Sequence, residues 1–401
     1  MALRILQICN KPPLPAIDGG ALAMWRMSQG LADAGHDVTI LSVHTDKHPW
    51  LPGKAGEENI RRFKMDSVYI DTNVRWLPAF LSLFKTSSYN IDRFYNLGFE
   101  ARLIELLSRN QYDIVQLESL YVCPYISTIR RISKAKIVLR AHNTESAIWQ
   151  KNAEEETEPF KKIWFHDLAG KLERYERKVV NEVDAIVTIT PDDEKRLKAF
   201  TTKPVSFHTA TFAMRKPDVE LRTGNTEPLS VFHLGAMDWK PNYDGVQWLV
   251  NEIWPIVLKS VPEAKLHLAG KDMKTEEFAG KSGVVAHGEV ADANEFMSRF
   301  SIMAIPLRSG GGVKVKAIEG MFAGKAIVTT KTGAEGILLT DKRDCLLAST
   351  TQEFAEQLVA LLKNNVVPSA LGQNAQKTAN ENHELSRVTE KLSDFYKTIL
   401  R

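Results

Sequence analysis

Residues 302–337, IMAIPLRSGGGVKVKAIEGMFAGKAIVTTKTGAEGI, decide the reading of this chain. They spell strand, glycine loop, helix and strand. The apolar run 302–307 is short enough for a buried strand, and Gly310, Gly311 and Gly312 break it. Apolar residues then recur at helical spacing from Val313 to Phe322, until Gly324 stops the helix. Residues 326–330 form a second buried strand. A glycine triplet opening a helix leaves backbone N–H groups unpaired and uncrowded, and the helix dipole adds partial positive charge there. An anion fits that position. Lys314 and Lys316, expected in the first turn, oppose the dipole unless something negative sits nearby, and a phosphate explains them. Glu319 follows Lys316 by three residues on nearly the same face, where it can bind hydroxyls or pair with Lys316.

Length and composition bound what surrounds this element. The 401 residues, 44% hydrophobic, favour two α/β domains over a single core. A net charge of +3 gives no case for nucleic acid, while allowing weak attraction to an anionic membrane. Cys9, Cys123 and Cys345 are widely spaced and form no CxxC pair, which fits a reducing cytoplasm and no metal site. The first apolar run is too short for a signal peptide, and no run reaches the length of a membrane span.

Before the opening element the chain alternates strands and helices. Residues 3–9, 21–34 and 38–43 read as a βαβ unit in which Gly19 and Gly20 stand at the start of the helix, a second candidate anion site without GxGxxG spacing. The segment 76–84, WLPAFLSLF, lies between Arg75 and Lys85 and suits either a membrane surface or a core or acceptor cleft. Helix is expected over 90–109 and 124–132, strand over 114–117 and 137–141. The strand at 137–141 ends in His142, Asn143, Thr144 and Glu145. Ligands bind at the carboxyl ends of strands in open parallel sheets, so His142 is placed for chemistry, unless it and Asn143 merely cap the next helix. Residues 154–182 read as one long, charged surface helix, 185–190 as a strand, and Pro191 with Asp192 and Asp193 as the start of a helix. A linker is expected over 215–228. A second α/β series follows, with strand at 229–234, helix at 244–258 and strand at 264–269, and an amphipathic helix at 383–400 closes the pattern.

Two α/β halves, GG after the first strand, HNTE after a middle strand, HLGAMDWKPN opening the second half and PLRSGGGVKVKAIEGMFAGKAIVTT resemble the retaining nucleotide-sugar glycosyltransferases of the family 4 type, group 1. The resemblance implies the GT-B fold, two Rossmann-like doubly wound domains facing across a cleft. The domains would span 1–212, binding the acceptor, and 213–380, binding the nucleotide-diphosphate sugar, with a terminal helix at 381–401 packing across both. Glu319 matches the second glutamate of the family's Glu-x7-Glu signature, which binds donor ribose. Gly311 occupies the first glutamate's place, a departure shared by relatives with a glycine-rich version. Ala236 follows Gly235 where a basic residue is usual, so diphosphate contacts fall to Lys316, Lys314, the loop amides of Gly310, Gly311, Gly312 and Val313, and more weakly to Lys240. Asn242 is the alternative cap for the following helix. His142 matches the family's active-site histidine, assisted by Asn143, and Gly19 and Gly20 match a loop near the donor phosphates or the acceptor.

The implied reaction is front-face transfer with retention, in which the leaving phosphate oxygen takes the acceptor proton while lysines and amides stabilise its charge. No metal or other cofactor is expected, since no DxD-like motif ends a suitable strand. The implied partners are a nucleotide-diphosphate sugar and a glycan, lipid-linked or small hydroxyl acceptor, in the cytoplasm or on the inner face of a membrane. Rivals within the fold are a nucleotide-sugar epimerase or hydrolase and a catalytically silent nucleotide-sugar binding protein. A dinucleotide oxidoreductase lacks its glycine fingerprint.

Overall fold

Apolar runs of four to eight residues, buried on both faces, fold here as parallel strands, as such runs require. The computed structural model describes residues 2–73, 87–216, 226–364 and 366–401. The apolar segment 76–84 and most of the linker expected at 215–228 lie outside them. The chain divides into two units, Met1–Ala213 with Leu385–Arg401, and Met214–Glu384.

In the first unit the strands are β1 (Arg4–Cys9), β2 (Asp37–His44), β3 (Asp66–Tyr69), β4 (Ile114–Glu118), β5 (Lys136–Ala141), β6 (Ala185–Thr188) and β7 (Ser206–Thr209). They form one parallel sheet in the order β3-β2-β1-β4-β5-β6-β7. Helices α1 (Gly19–Asp33), α2 (Leu97–Arg109), α3 (Ile126–Ile132), α4 (Glu145–Glu155), α5 (Pro159–Val179) and α6 (Pro191–Lys198) belong to the same unit. Strand order reverses between β1 and β4, and at such a switch point the following loops part to leave a crevice at the carboxyl ends.

The single helix expected over 154–182 is instead α4 and α5. Pro159 forces the residue before it out of helical geometry, and Glu158 accordingly lies at φ −81°, ψ 118° and caps the Phe160 N–H.

The second unit repeats the plan with β8 (Ser230–Leu234), β9 (Lys265–Ala269), β10 (Val284–Gly288), β11 (Ile302–Ile305), β12 (Ala326–Thr329) and β13 (Leu346–Leu347), in the order β10-β9-β8-β11-β12-β13. Its switch point lies between β8 and β11. The helices are α7 (Lys240–Trp248), α8 (Trp254–Ser260), α9 (Ala293–Ser298), α10 (Val315–Phe322), α11 (Thr351–Leu362) and α12 (Val366–Asn382). The helix expected over 244–258 begins earlier, at Lys240, and a π-type turn at Leu249–Ile253 divides it. Pro255 explains the irregularity, because it has no N–H to donate and crowds the carbonyl four residues back.

The last helix, α13 (Leu385–Ile399), belongs to the first unit, so the boundaries expected at 212/213 and 380/381 fall at 213/214 and 384/385. Its apolar face, Leu385, Val388, Leu392 and Tyr396, joins the core formed by Leu3, Ile5, Met27, Leu31 and Val38. Close approach to α1 depends on Gly30, where a Cβ would stand 2.3 Å from Thr389 Cγ2 and 2.9 Å from Leu385 Cδ1.

Candidate active site

At the switch point of the second unit, two loops meet. The loop after β11 turns through Gly310 at φ 96° and Gly312 at φ 81°, left-handed conformations that favour glycine. A Cβ on Gly310 would lie 2.7 Å from Trp239 Cζ2, so this loop packs closely on the loop after β8, which holds Gly235 and ends at Lys240, the exposed first residue of α7. Gly310→Ala is expected to destabilise the protein by roughly 1–3 kcal/mol through combined strain and clash, read from urea denaturation.

The helix after the glycine loop starts at Val315 rather than Val313, and Lys314 is its N-cap. That changes the role of Lys314. Its ammonium donates to the carbonyls of Gly310 at 3.0 Å and Gly312 at 2.5 Å, and it stands 3.9 Å from Glu335, so it braces the loop. Lys316 does lie in the first turn. It forms an ion pair with Glu319 at 2.7 Å, realising the pairing open in the sequence. The oxygen facing the ammonium is Glu319 Oε2. Asn242, the expected cap of α7, braces the preceding loop by donating to the Ala236 carbonyl at 3.0 Å. His233, which begins the quoted HLGAMDWKPN, had no role assigned in the sequence reading. It is buried on β8 with Nδ1 2.9 Å from the Ala304 carbonyl, and burial pushes its pKa down to about 4.

The first unit arranges its polar groups around the ends of β1, β4 and β5. Gly19 and Gly20 open α1, yet its N-terminus already holds a carboxylate: Asp18 accepts from the Ala21 N–H at 2.8 Å and pairs with Lys11 at 2.7 Å, with His48 at 3.4 Å. The chain thus places a carboxylate of its own at this helix end. His142 extends from the end of β5 to the end of β4, with Nε2 2.7 Å from Glu118 Oε2. Arg140 Nη1 stands 2.9 Å from the same oxygen, and Gln116 donates to Glu118 Oε1. Glu118 is wholly buried, which alone would raise its pKa, but Arg140 and His142 hold it down to about 2. For His142 burial outweighs the carboxylate and lowers the pKa below its usual value, leaving the ring neutral at pH 7.

The residues after His142 are fixed from elsewhere in the unit. Thr144 donates through its N–H and Oγ1 to Asp193 Oδ1, both at 2.8 Å. The first N–H groups of α4 are capped by Glu176 of α5, which accepts from Glu145 N at 2.6 Å and from the Ser146 hydroxyl. The capping role left open for His142 and Asn143 therefore falls to a distant carboxylate. Burial raises the pKa of Glu176 to about 7.

Sequence reasoning missed Glu118, Arg140, Lys11 and Glu176. For the first two a signal existed, since a charge at or near the end of a doubly buried strand needs a partner. Among the described residues no three His, Cys, Asp or Glu side chains gather as metal ligands, and no helix is long and apolar enough to cross a membrane.

Comparison with known proteins agrees with this two-unit geometry. Residues 228–364 match the family model described as glycosyl transferases group 1, and residues 17–208 match glycosyltransferase family 4. An uncharacterized 44.6 kDa protein in the cps region of Klebsiella pneumoniae is 24% identical over 96% of this chain and 97% of its own length. Among solved structures, sucrose-phosphate synthase from Thermosynechococcus elongatus superposes with a TM-score of 0.66 at 14% identity, covering 99% of both chains. Anabaena HepE in complex with UDP gives 0.64 at 12% identity, covering 99% of this chain and 100% of that one. At such identities the structural likeness shows the fold.

Proposed function

Because the chain belongs to the group 1 glycosyltransferases and has their GT-B fold, we propose that it transfers a sugar from a nucleoside-diphosphate donor to a hydroxyl acceptor with retention at the anomeric carbon. The observation that carries this reading is the loop after β11, where glycine amides and the Lys316–Glu319 pair adjoin the switch point of the second unit. A diphosphate suits the amides and the ammonium, and the Glu319 carboxylate, which only accepts, suits the donating ribose hydroxyls. Complexes of relatives of this fold with UDP support a nucleotide partner. His142 of the first unit would act on the transferred sugar. The leaving phosphate oxygen would take the acceptor proton as Lys316 and the amides stabilise its charge, so no enzymic nucleophile enters.

Two measurements test this. Thermal-shift screening of UDP, GDP and ADP with their sugars should single out one base, since a ligand at a hundred times its Kd stabilises by about 2.7 kcal/mol. Glu319→Ala should then weaken binding of that nucleotide by roughly 1–3 kcal/mol in calorimetry. Unchanged affinity removes Glu319 from the ribose. Gly311 favours a second reading, a protein that binds the nucleotide sugar without transferring it. The position itself could hold a side chain, because a Cβ there meets no atom within 4 Å. Binding without release of nucleoside diphosphate in the presence of any acceptor would support that reading.

A further inference from the structure

Glu118 is wholly buried and receives three donors, Gln116 on one oxygen and Arg140 and His142 on the other. A carboxylate beside a guanidinium stays ionised and can only accept, which fixes every hydrogen in the group. His142 Nε2 must carry its proton. Gln116 must turn its NH2 toward Glu118, leaving its Oε1 to receive the hydroxyl of Tyr396, as the contact between those two atoms shows. The donors therefore converge on Glu118, from α13 through Gln116 of β4 on one side and from the histidine after β5 on the other. A neutral imidazole protonated on Nε2 keeps its lone pair on Nδ1.

We propose that Glu118 is a positioning residue for sugar transfer: it locks His142 as the Nε2–H tautomer, so that Nδ1 is presented as an acceptor to a hydroxyl of the transferred sugar, and Tyr396 with Gln116 holds Glu118 in that role. This rests on the reading that the chain transfers sugar from a nucleotide donor. The ligand group so recognised is a hydroxyl free to donate. A carbonyl, carboxylate or ether oxygen offers Nδ1 nothing, so a deoxyfluoro sugar altered at the contacted carbon should be a poor donor.

The tautomer can be read directly from the 15N shifts of the His142 ring, assigned by loss of its signals in His142→Gln. At pH 7 the wild type should show a protonated Nε2 and a bare Nδ1. A protonated Nδ1 overturns the proposal. Function is read as release of nucleoside diphosphate from UDP-glucose, GDP-mannose or ADP-glucose, whichever the wild type turns over. The charged groups facing His142 are Glu118 on β4, Arg140 on β5 and Lys11 in the loop after β1. Protonation turns Nδ1 into a donor, so kcat/KM should fall on the acid side. Glu118→Gln removes the anion that favours the imidazolium, and should both lower kcat and move that acid limb to lower pH. A limb left in place would mean that protonation of His142 does not govern turnover, which also overturns the proposal. Should Glu118→Gln fail to fold, Tyr396→Phe carries the test: kcat should fall roughly three- to tenfold, the value of one hydrogen bond, with nucleotide affinity unchanged. An unaltered kcat there counts against the relay. Failure of the underlying reading looks different, because the wild type would then release no nucleoside diphosphate from any of the three donors, whatever tautomer the 15N shifts report.

Discussion

Arg140→Leu is expected to destabilise the protein by about 3–5 kcal/mol in urea denaturation at pH 7, the cost of leaving one partner of a buried ion pair uncompensated. Arg140 is 1% exposed and Glu118 0%, so water cannot reach either charge to make good the loss. The pH dependence follows from the pairing. In the native protein Glu118 titrates at about 2 instead of its ordinary 4.5, so its contribution is complete above pH 4.5 and is lost as pH falls from 4.5 to about 2. Without the guanidinium, burial dominates and raises the carboxyl's pKa, so the variant's deficit should be largest at neutral pH and shrink on acidification. Replacing Glu118 by Leu as well should recover much of the stability, because an apolar pair of similar volume carries no desolvation cost. A deficit below about 1 kcal/mol for the single variant would mean that the pair is better solvated than its burial indicates.

His142→Ala should lower the turnover of the nucleotide sugar by about a hundredfold or more, the scale set by removing a preorganised hydrogen-bonding group from a reacting centre. Affinity for the nucleoside diphosphate should stay within about twofold, since the groups proposed for it lie after β8 and β11. Side-by-side measurement of kcat and of nucleotide Kd separates the cases. Equal losses in both would assign His142 a structural part. The ring is well placed to be altered without global damage: it lies at the end of β5, while Thr144, Glu145 and Ser146 have their own partners in Asp193 and Glu176.

The fold was legible because parallel strands buried on both faces leave continuous apolar runs, and glycine marks the turns between them. Residues 302–337 contain all of these signals in local sequence, and the strand, glycine loop, helix and strand they predict are present. Local patterning was less able to fix the details. That Lys314 bends back onto the Gly310 and Gly312 carbonyls depends on loop conformation, which spacing does not encode. The cap of α1 by Asp18 is a local signal, three residues from the Ala21 N–H it accepts, whereas the pairing of Asp18 with Lys11 across a loop is not. Glu118 escaped for a similar reason, its partners Arg140 and His142 coming from the next strand and its end, and Tyr396, which holds Gln116, from nearly the far end of the sequence. Contacts between distant segments need a topology before they can be inferred, and the resemblance to a family supplied the general site without these side chains.

The return of α13 to the first unit bears on how the protein is made. The second unit is a single stretch, Met214–Glu384, and can complete its core as soon as it has been synthesised. The first unit cannot, because Leu392 and Tyr396 are fully buried parts of its core and are translated only after about 170 further residues. Until then the surface of α1 around Gly30 that receives Leu385 and Thr389 is exposed on the nascent chain. Premature termination after residue 384 would leave a protein with one finished unit and one unfinished.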